Sequence, residues 1–303
     1  MRIFLTGGTG YIGSAVLDAL VRGGHRIDAL VRNREKAAEV QARGAHAILG
    51  NLAQPASYVD AAAAADGVVH AGFDFAGGAA DVDAIVLDTL LGLPDKPGRF
   101  LLYTSGVWVL GGSTTPMDET VPLNPIQHVA WRPAHERRVL GASASGLRTA
   151  VIRPGIVYGG SRGIVGDLFK DAANGLVRVI GTGENHWPLV YDRDLGDLYL
   201  RIVNQPDASG LFHANDERDE QVNELVNAIV GHVAISPSVR RVPIEEARKK
   251  MGTYADALML DQIVRSPRAR ALGWSPALHS VSGNAARLFE EWRRGREALK
   301  TAI

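Results

Sequence analysis

Thr6-Gly7-Gly8-Thr9-Gly10-Tyr11-Ile12-Gly13 follows the short apolar run Ile3–Leu5 and opens a helical pattern that begins near residue 12. The three glycines at positions 7, 10 and 13 each have a physical task. Gly7 permits a tight turn out of the strand, Gly10 lets backbone N–H groups approach a diphosphate, and Gly13 lets the helix pack close to the strand. The helix start then offers free N–H groups and the positive end of its dipole to the phosphates. A glycine-rich stretch alone is weak evidence. Here a strand precedes it and a helix follows, the context of a dinucleotide site. Thr9, Tyr11 and Ile12 lie between the glycines and belong to the predicted contact set. The bland alternative is a turn that serves only chain reversal.

Outward from this turn, apolar runs alternate with helical patterns as far as residue 153. Ile3–Leu5, Ile27–Val31, Ala47–Leu49, Val68–His70, Phe100–Tyr103 and Thr149–Ile152 read as strands. Helical stretches fall near 12–22, 34–43, 56–65, 79–92 and 133–145. This alternation predicts a Rossmann-type, doubly wound parallel sheet of the α/β class, and the continuous rather than alternating apolar character of the strands agrees. After Arg153 the rhythm changes, with helices near 163–173, 194–204, 219–230, 244–250 and 281–299. The division expected is a dinucleotide-binding domain over 1–154 and a smaller α/β substrate lobe over 155–303, some of whose segments return to the first domain.

The end of the second strand bears on the cofactor. NAD sites usually place an acid there to hold the adenosine ribose hydroxyls. This sequence has Leu30-Val31-Arg32-Asn33-Arg34 instead. No carboxylate repels a 2′-phosphate, and Arg32 can grip one through charge-assisted hydrogen bonds. The alternative is that Arg32 and Arg34 only solvate a helix start. NADP(H) is therefore favoured over NAD(H).

Composition excludes several classes. The chain has 303 residues, 46% of them hydrophobic and 22% charged, values of an ordinary globular protein. Lys+Arg and Asp+Glu both total 33, a balance with no electrostatic footprint for nucleic acid and no basic run for a membrane surface. Without a cysteine, disulfides, thiolate catalysis and thiolate metal ligands are ruled out. No apolar run is long enough to span a bilayer, and the first residues read as a strand, not a signal peptide. The expectation is a cytoplasmic protein with a small-molecule substrate.

Further motifs carry a family resemblance. Gly50-Asn51-Leu52 follows the third strand, His70-Ala71-Gly72 the fourth, and Tyr103-Thr104-Ser105-Gly106 ends the fifth, with Val109-Leu110-Gly111 beyond it. Arg153-Pro154-Gly155-Ile156-Val157-Tyr158-Gly159 comes next, then the weaker landmarks Asp192-Arg193-Asp194-Leu195 and Leu272-Gly273-Trp274-Ser275-Pro276. With the glycine turn, these resemble the extended or atypical short-chain dehydrogenase/reductases, in the NAD-dependent epimerase/dehydratase group, over nearly the whole length. The resemblance implies that Asn51 and Leu52 touch adenine, and that Ala71 and Gly72 lie over the ribose and diphosphate. It also implies that Thr104 lines the cofactor and that the backbone at Pro154 and Gly155 holds the nicotinamide. Relatives often pair helices into a dimer, so a homodimer is a further expectation.

The catalytic centre departs from the resemblance. Such enzymes usually carry a Tyr and, four residues on, a Lys; counting back from Glu136 places these at His128 and Arg132. No Tyr-x-x-x-Lys occurs in this region. The usual Ser or Thr position falls on Gly106, and Ser105 lies one residue early. Strand side chains alternate faces, so Ser105 should point away from substrate unless the strand end bulges; a structural role is preferred to a catalytic one. His128 can exchange protons near neutral pH, while Arg132 opposes its protonation and can still donate to ribose. Pro133 leaves two geometries open. The helix begins there with His128 on its approach, or it begins at Asn124-Pro125 and Pro133 kinks it. A surface or core histidine is as good a reading of His128 as a catalytic one. Trp108, Tyr158 and His186 are candidates for the substrate cleft. Trp108 and Trp131 favour an apolar substrate, and no carboxylate–histidine set has metal-ligand spacing.

Three functions compete. The first is an oxidoreductase that reduces a small carbonyl compound with NADPH. The second is an NADP(H)-binding sensor or scaffold without turnover. The third is a sugar-type epimerase or dehydratase, against which Arg32 and the missing tyrosine both count.

Overall fold

The computed structural model describes residues 1–74, 78–233 and 236–301. Its centre is a sheet of seven parallel strands, numbered here along the chain. They are β1 (Arg2–Thr6), β2 (Arg26–Val31), β3 (His46–Leu49), β4 (Gly67–His70), β5 (Phe100–Thr104), β6 (Arg148–Pro154) and β7 (Gly210–Ala214). Their order across the sheet is β7-β6-β5-β4-β1-β2-β3. All six predicted strands of the N-terminal region are present. The seventh comes from the C-terminal half, and β7 pairs with β6 from Gly210 opposite Ala150 to Ala214 opposite Pro154.

Strand order reverses where β4 and β2 flank β1. At such a switch point the loops leaving the two central strands part to opposite faces and open a crevice at their C-terminal ends. The loops that open here are the glycine turn after Thr6 and the segment after His70.

Helices cover both faces because the strands are apolar on both. On one face α1 (Tyr11–Arg22) and α7 (Asp192–Asn204) bury Val16, Leu17, Leu20, Leu195, Leu198 and Ile202 over Ile3, Leu5 and Ile152. The other face carries α3 (Val59–Ala64), α4 (Ala79–Leu91) and α5 (Arg132–Gly141), with Ala62, Val86, Leu87 and Val139 over Phe4, Leu101 and Val151. A separate cluster in the C-terminal half joins α6 (Gly163–Ala173), α8 (Val222–Val230) and α12 (Ala285–Thr301) through Phe169, Leu225, Leu288 and Trp292.

The helix predicted over 56–65 is a 3₁₀ turn at Pro55–Ser57 followed by α3. Of the two geometries open at Pro133, the first is found. α5 begins at Arg132, with the proline in its first turn, where a missing N–H costs nothing. His128 lies on the approach, in a 3₁₀ turn at Gln127–Val129. Among the described residues no helix is long and apolar enough to cross a membrane.

Candidate active site

The glycine turn is built as a cradle. Gly7 has φ +78°, and a Cβ there would lie 2.5 Å from the Ala71 carbonyl oxygen. At Gly13 a Cβ would come within 2.0 Å of the Gly7 carbonyl oxygen. Side chains are thus excluded on both sides of the turn, and backbone fills its floor. Gly10 N–H closes the turn onto the Gly7 carbonyl at 2.7 Å. The first intrahelical bond is Ser14 N–H to the Gly10 carbonyl, 3.0 Å, so the amides of Tyr11, Ile12 and Gly13 precede it at the positive end of α1. That donor set fits the diphosphate of a dinucleotide.

The loop after β4 is locked across this cradle by a buried network the sequence reading did not foresee. Gly72 N–H donates to Thr6 Oγ1 (3.0 Å), which bonds His70 Nδ1 (2.6 Å). His70 Nε2 bonds Asp83 Oδ1 (3.0 Å), and Asp83 Oδ2 also takes His135 Nδ1 (2.6 Å) and the Tyr103 hydroxyl (2.8 Å). Burial by itself would raise the Asp83 pKa. The hydrogen bonds from His135 and His70 outweigh it and hold the carboxyl well below its usual range. Ala71 and Gly72 therefore occupy fixed positions beside Gly7. Leu52 closes the same corner, with its Cδ1 3.1 Å from where a Gly72 Cβ would stand. Asn51 spends its side chain on the local turn, accepting from Ala53 N–H at 3.0 Å.

At the end of β2 the Asn33 side chain caps α2 (Arg34–Ala42) by accepting from Lys36 N–H. Arg32 is exposed, and among the described residues it has no hydrogen-bond or ion-pair partner. The acidic residue of β2, Asp28, belongs to the opposite end of the strand, where it is buried against Arg2 and His46.

At the end of β5 the Thr104 hydroxyl bonds that of Tyr199 (2.6 Å), and the Thr104 carbonyl accepts from Arg132 Nη1 (3.2 Å). Arg132, half-buried, lies over Trp131 at 4.5 Å and Phe73 at 5.5 Å. Ser105 continues the pairing, with its N–H on the Ile152 carbonyl at 2.8 Å. Its hydroxyl is buried and has no hydrogen-bond partner. Gly106 is extended, and a Cβ there would have nothing nearer than the Pro154 carbonyl at 3.9 Å. The position that the resemblance assigns to a hydroxyl residue therefore borders open space. Gly155, by contrast, is fully enclosed: a Cβ would lie 2.5 Å from the Pro188 carbonyl oxygen.

His128 is half-buried beside Trp108 (ring centroids 6.2 Å) and Tyr254 (5.4 Å), and its Nδ1 bonds Thr253 Oγ1 at 3.2 Å. Burial, then the Arg132 charge, depresses its pKa, so the ring is neutral at pH 7. Tyr254 starts a short helix, α10 (Tyr254–Met259), that no sequence motif signalled. Its phenol reaches Trp108 and His128 across more than a hundred residues, and burial pushes its pKa up to about 12.

Two candidates move. Tyr158 is fully buried and donates to the Leu278 carbonyl (2.9 Å) and to Asp216 (3.2 Å). It is a strut within the C-terminal half of the chain and leaves the substrate set. His186 takes Asp261 Oδ1 on both its backbone N–H (2.8 Å) and its Nδ1 (2.9 Å), a pairing that holds the short strand His186–Trp187 in place.

The sequence model described as "NAD dependent epimerase/dehydratase family" matches residues 3–214, a span that holds the cradle, the network and the β5 centre. The chain belongs to the NAD dependent epimerase/dehydratase family. Among relatives, an uncharacterized protein of Schizosaccharomyces pombe is 32% identical over 93% of this chain and 96% of its own. The 2-alkyl-3-oxoalkanoate reductase of Stenotrophomonas maltophilia is 31% identical over 63% and 62%. Two solved structures share the fold. The dTDP-glucose 4,6-dehydratase of Bacillus anthracis, in complex with NAD, superposes with a TM-score of 0.82 at 16% identity and full coverage of both chains. Human epimerase family protein SDR39U1, with NADPH, gives 0.76 at 18%, covering 96% of this chain and 99% of that one.

Proposed function

We propose that this member of the family is an NADPH-dependent reductase of a small, largely apolar carbonyl compound. The observation that carries this reading is the pairing of an intact diphosphate cradle with a polar but altered centre: Arg132 on the end of β5, and His128 between Trp108 and Tyr254. Support for the phosphorylated cofactor is the unpartnered Arg32 at the end of β2, where no carboxylate competes. The relation to a 2-alkyl-3-oxoalkanoate reductase supports a ketone substrate.

The bound cofactor would supply the hydride. In this reading the backbone of Tyr11–Gly13 holds its diphosphate, and Arg132 holds the ribose side of the nicotinamide. Trp108 and Tyr254 bind the apolar part of the substrate and exclude water. His128 is neutral at pH 7 and donates a hydrogen bond to the carbonyl oxygen through Nε2, and the alkoxide left by hydride addition takes its proton from water, which leaves as hydroxide. Positioning supplies most of the acceleration, and the acid–base contribution is about 10²–10⁴-fold.

NADPH consumption is measured with aldehydes, ketones and 2-alkyl-3-oxoalkanoates. Substrate-dependent oxidation is expected, and His128→Ala should slow it at least tenfold. Tighter uptake of NADPH than NADH is expected, and Arg32→Gln should abolish that preference. Binding of NADPH with silence across the panel would instead assign the protein as a sensor, a role that the packing of His128 against two rings also suits. The reading includes a cytoplasmic homodimer, for which sedimentation should give twice the chain mass.

A further inference from the structure

A second glycine-rich loop, Gly159-Gly160-Ser161-Arg162-Gly163, lies against the diphosphate cradle. Three of its residues are glycines at positive φ: +121° at Gly159, +59° at Gly160 and +75° at Gly163. Its path is enforced from several sides. The Tyr11 hydroxyl donates to the Gly159 carbonyl at 2.7 Å. A Cβ on Gly163 would lie 2.5 Å from the Tyr11 ring, one on Gly159 would lie 2.6 Å from Asp192 Oδ1, and Gly295 of α12 packs onto Ser161. Tyr11 belongs to the cradle itself, so the loop and the cradle form one rigid unit.

From this loop Arg162 Nη1 donates to the Thr9 carbonyl at 2.9 Å, between the glycines of the phosphate turn. That single bond to a neutral carbonyl uses one of five donors. Arg162 is exposed, and no carboxylate lies within ion-pair distance of it among the described residues. A full positive charge without a counter-ion thus stands at the rim of a site whose other donors are backbone amides carrying only partial charge. Guanidinium geometry matches phosphate oxygens, and a rigid loop loses little entropy on engaging them.

We propose that Arg162 is a diphosphate-binding residue, a clamp that supplies from the second lobe the charge the glycine turn lacks. The inference rests on the dinucleotide reading above. It assigns two arginines to different ends of one ligand: Arg32 reads the 2′-phosphate, and Arg162 grips the diphosphate common to both nicotinamide dinucleotides.

The test is equilibrium titration with NADPH and with NADH, followed by cofactor fluorescence. Arg162→Gln keeps an N–H for the Thr9 carbonyl but removes the charge. It should weaken both cofactors by about tenfold or more, the worth of a hydrogen bond between charged groups. Arg162→Lys keeps the charge without the fork and should fall between. Arg32→Gln should weaken NADPH alone. An Arg162→Gln protein that binds both cofactors as the wild type does overturns the clamp and makes Arg162 a tether of the loop. A loss confined to NADPH overturns it too, by moving Arg162 to the 2′-phosphate. Wild-type protein that takes up neither cofactor would sink the dinucleotide reading itself, an outcome separate from a silent Arg162 substitution.

Discussion

Gly13→Ala adds one methyl group at the closest approach in the cradle. Its Cβ would lie 2.0 Å from the Gly7 carbonyl oxygen and 2.6 Å from the Gly7 carbonyl carbon, where contacts below 3.0 Å essentially never occur. Both partners are backbone, so no side chain can swing away. The start of α1 must retreat by about 1 Å. Two effects compete in stability. Alanine in a helix gains about 1 kcal/mol over glycine, while overpacking costs about 1–3 kcal/mol. A net loss of about 1 kcal/mol is expected in urea unfolding. Binding suffers more, because the amides of Tyr11, Ile12 and Gly13 move with the helix. Loss of two hydrogen bonds to phosphate, each about 1.5–3 kcal/mol, lowers NADPH affinity about a hundredfold or more. Gly141→Ala, near the end of α5 with nothing within 4 Å of the new Cβ, is the control and should leave binding unchanged. If Gly13→Ala took up NADPH within threefold of wild type, the cradle would not be where the diphosphate binds.

Other outcomes test the surrounding structure. Ser105→Ala removes a buried hydroxyl without a partner and should stabilise the protein by up to about 1 kcal/mol with turnover intact; a tenfold loss of rate would put Ser105 in contact with substrate. Glu136→Ala strands Arg153, whose side chain is 4% exposed and whose guanidinium is bonded to both Glu136 carboxylate oxygens, and should cost about 3–5 kcal/mol in chemical unfolding, part of it regained when Arg153→Met is added. His213 lies fully buried beside Arg153, and burial first, then that charge, lower its pKa from 6.5 to about 3. A histidine held neutral in the fold contributes full stability above pH 6.5 and loses it as pH falls toward 3. Wild type should therefore lose about 3 kcal/mol more than His213→Gln between pH 7 and pH 4, and parallel stability curves for the two proteins would refute this account.

The two histidines of the Asp83 network show how far local reading reaches. His70 ends a strand legible from Val68 and Val69, yet its bonds run to Thr6, 64 residues back, and to Asp83 on a helix. No spacing rule connects those positions, and none signals Tyr254, which reaches His128 from a helix 126 residues on. Tyr158 illustrates the opposite error. Its motif made it a candidate for the substrate cleft, but its side chain turns inward to Asp216 and Leu278.

The glycine turn, the order of strands and helices along the chain and the basic end of β2 could all be read from residues alone. Each depends on contacts within a few positions: φ preference, the period of apolar residues, a cap and its neighbours. Which strands are neighbours, and hence where the crevice opens, was settled by pairing across the sheet, including the return of Gly210–Ala214 to lie beside β6. The positions of Arg162, Tyr254 and His70 relative to that crevice were settled with it. Such positions follow from the burial of two helix layers against one sheet, a sum over distant contacts that no stretch of sequence carries by itself.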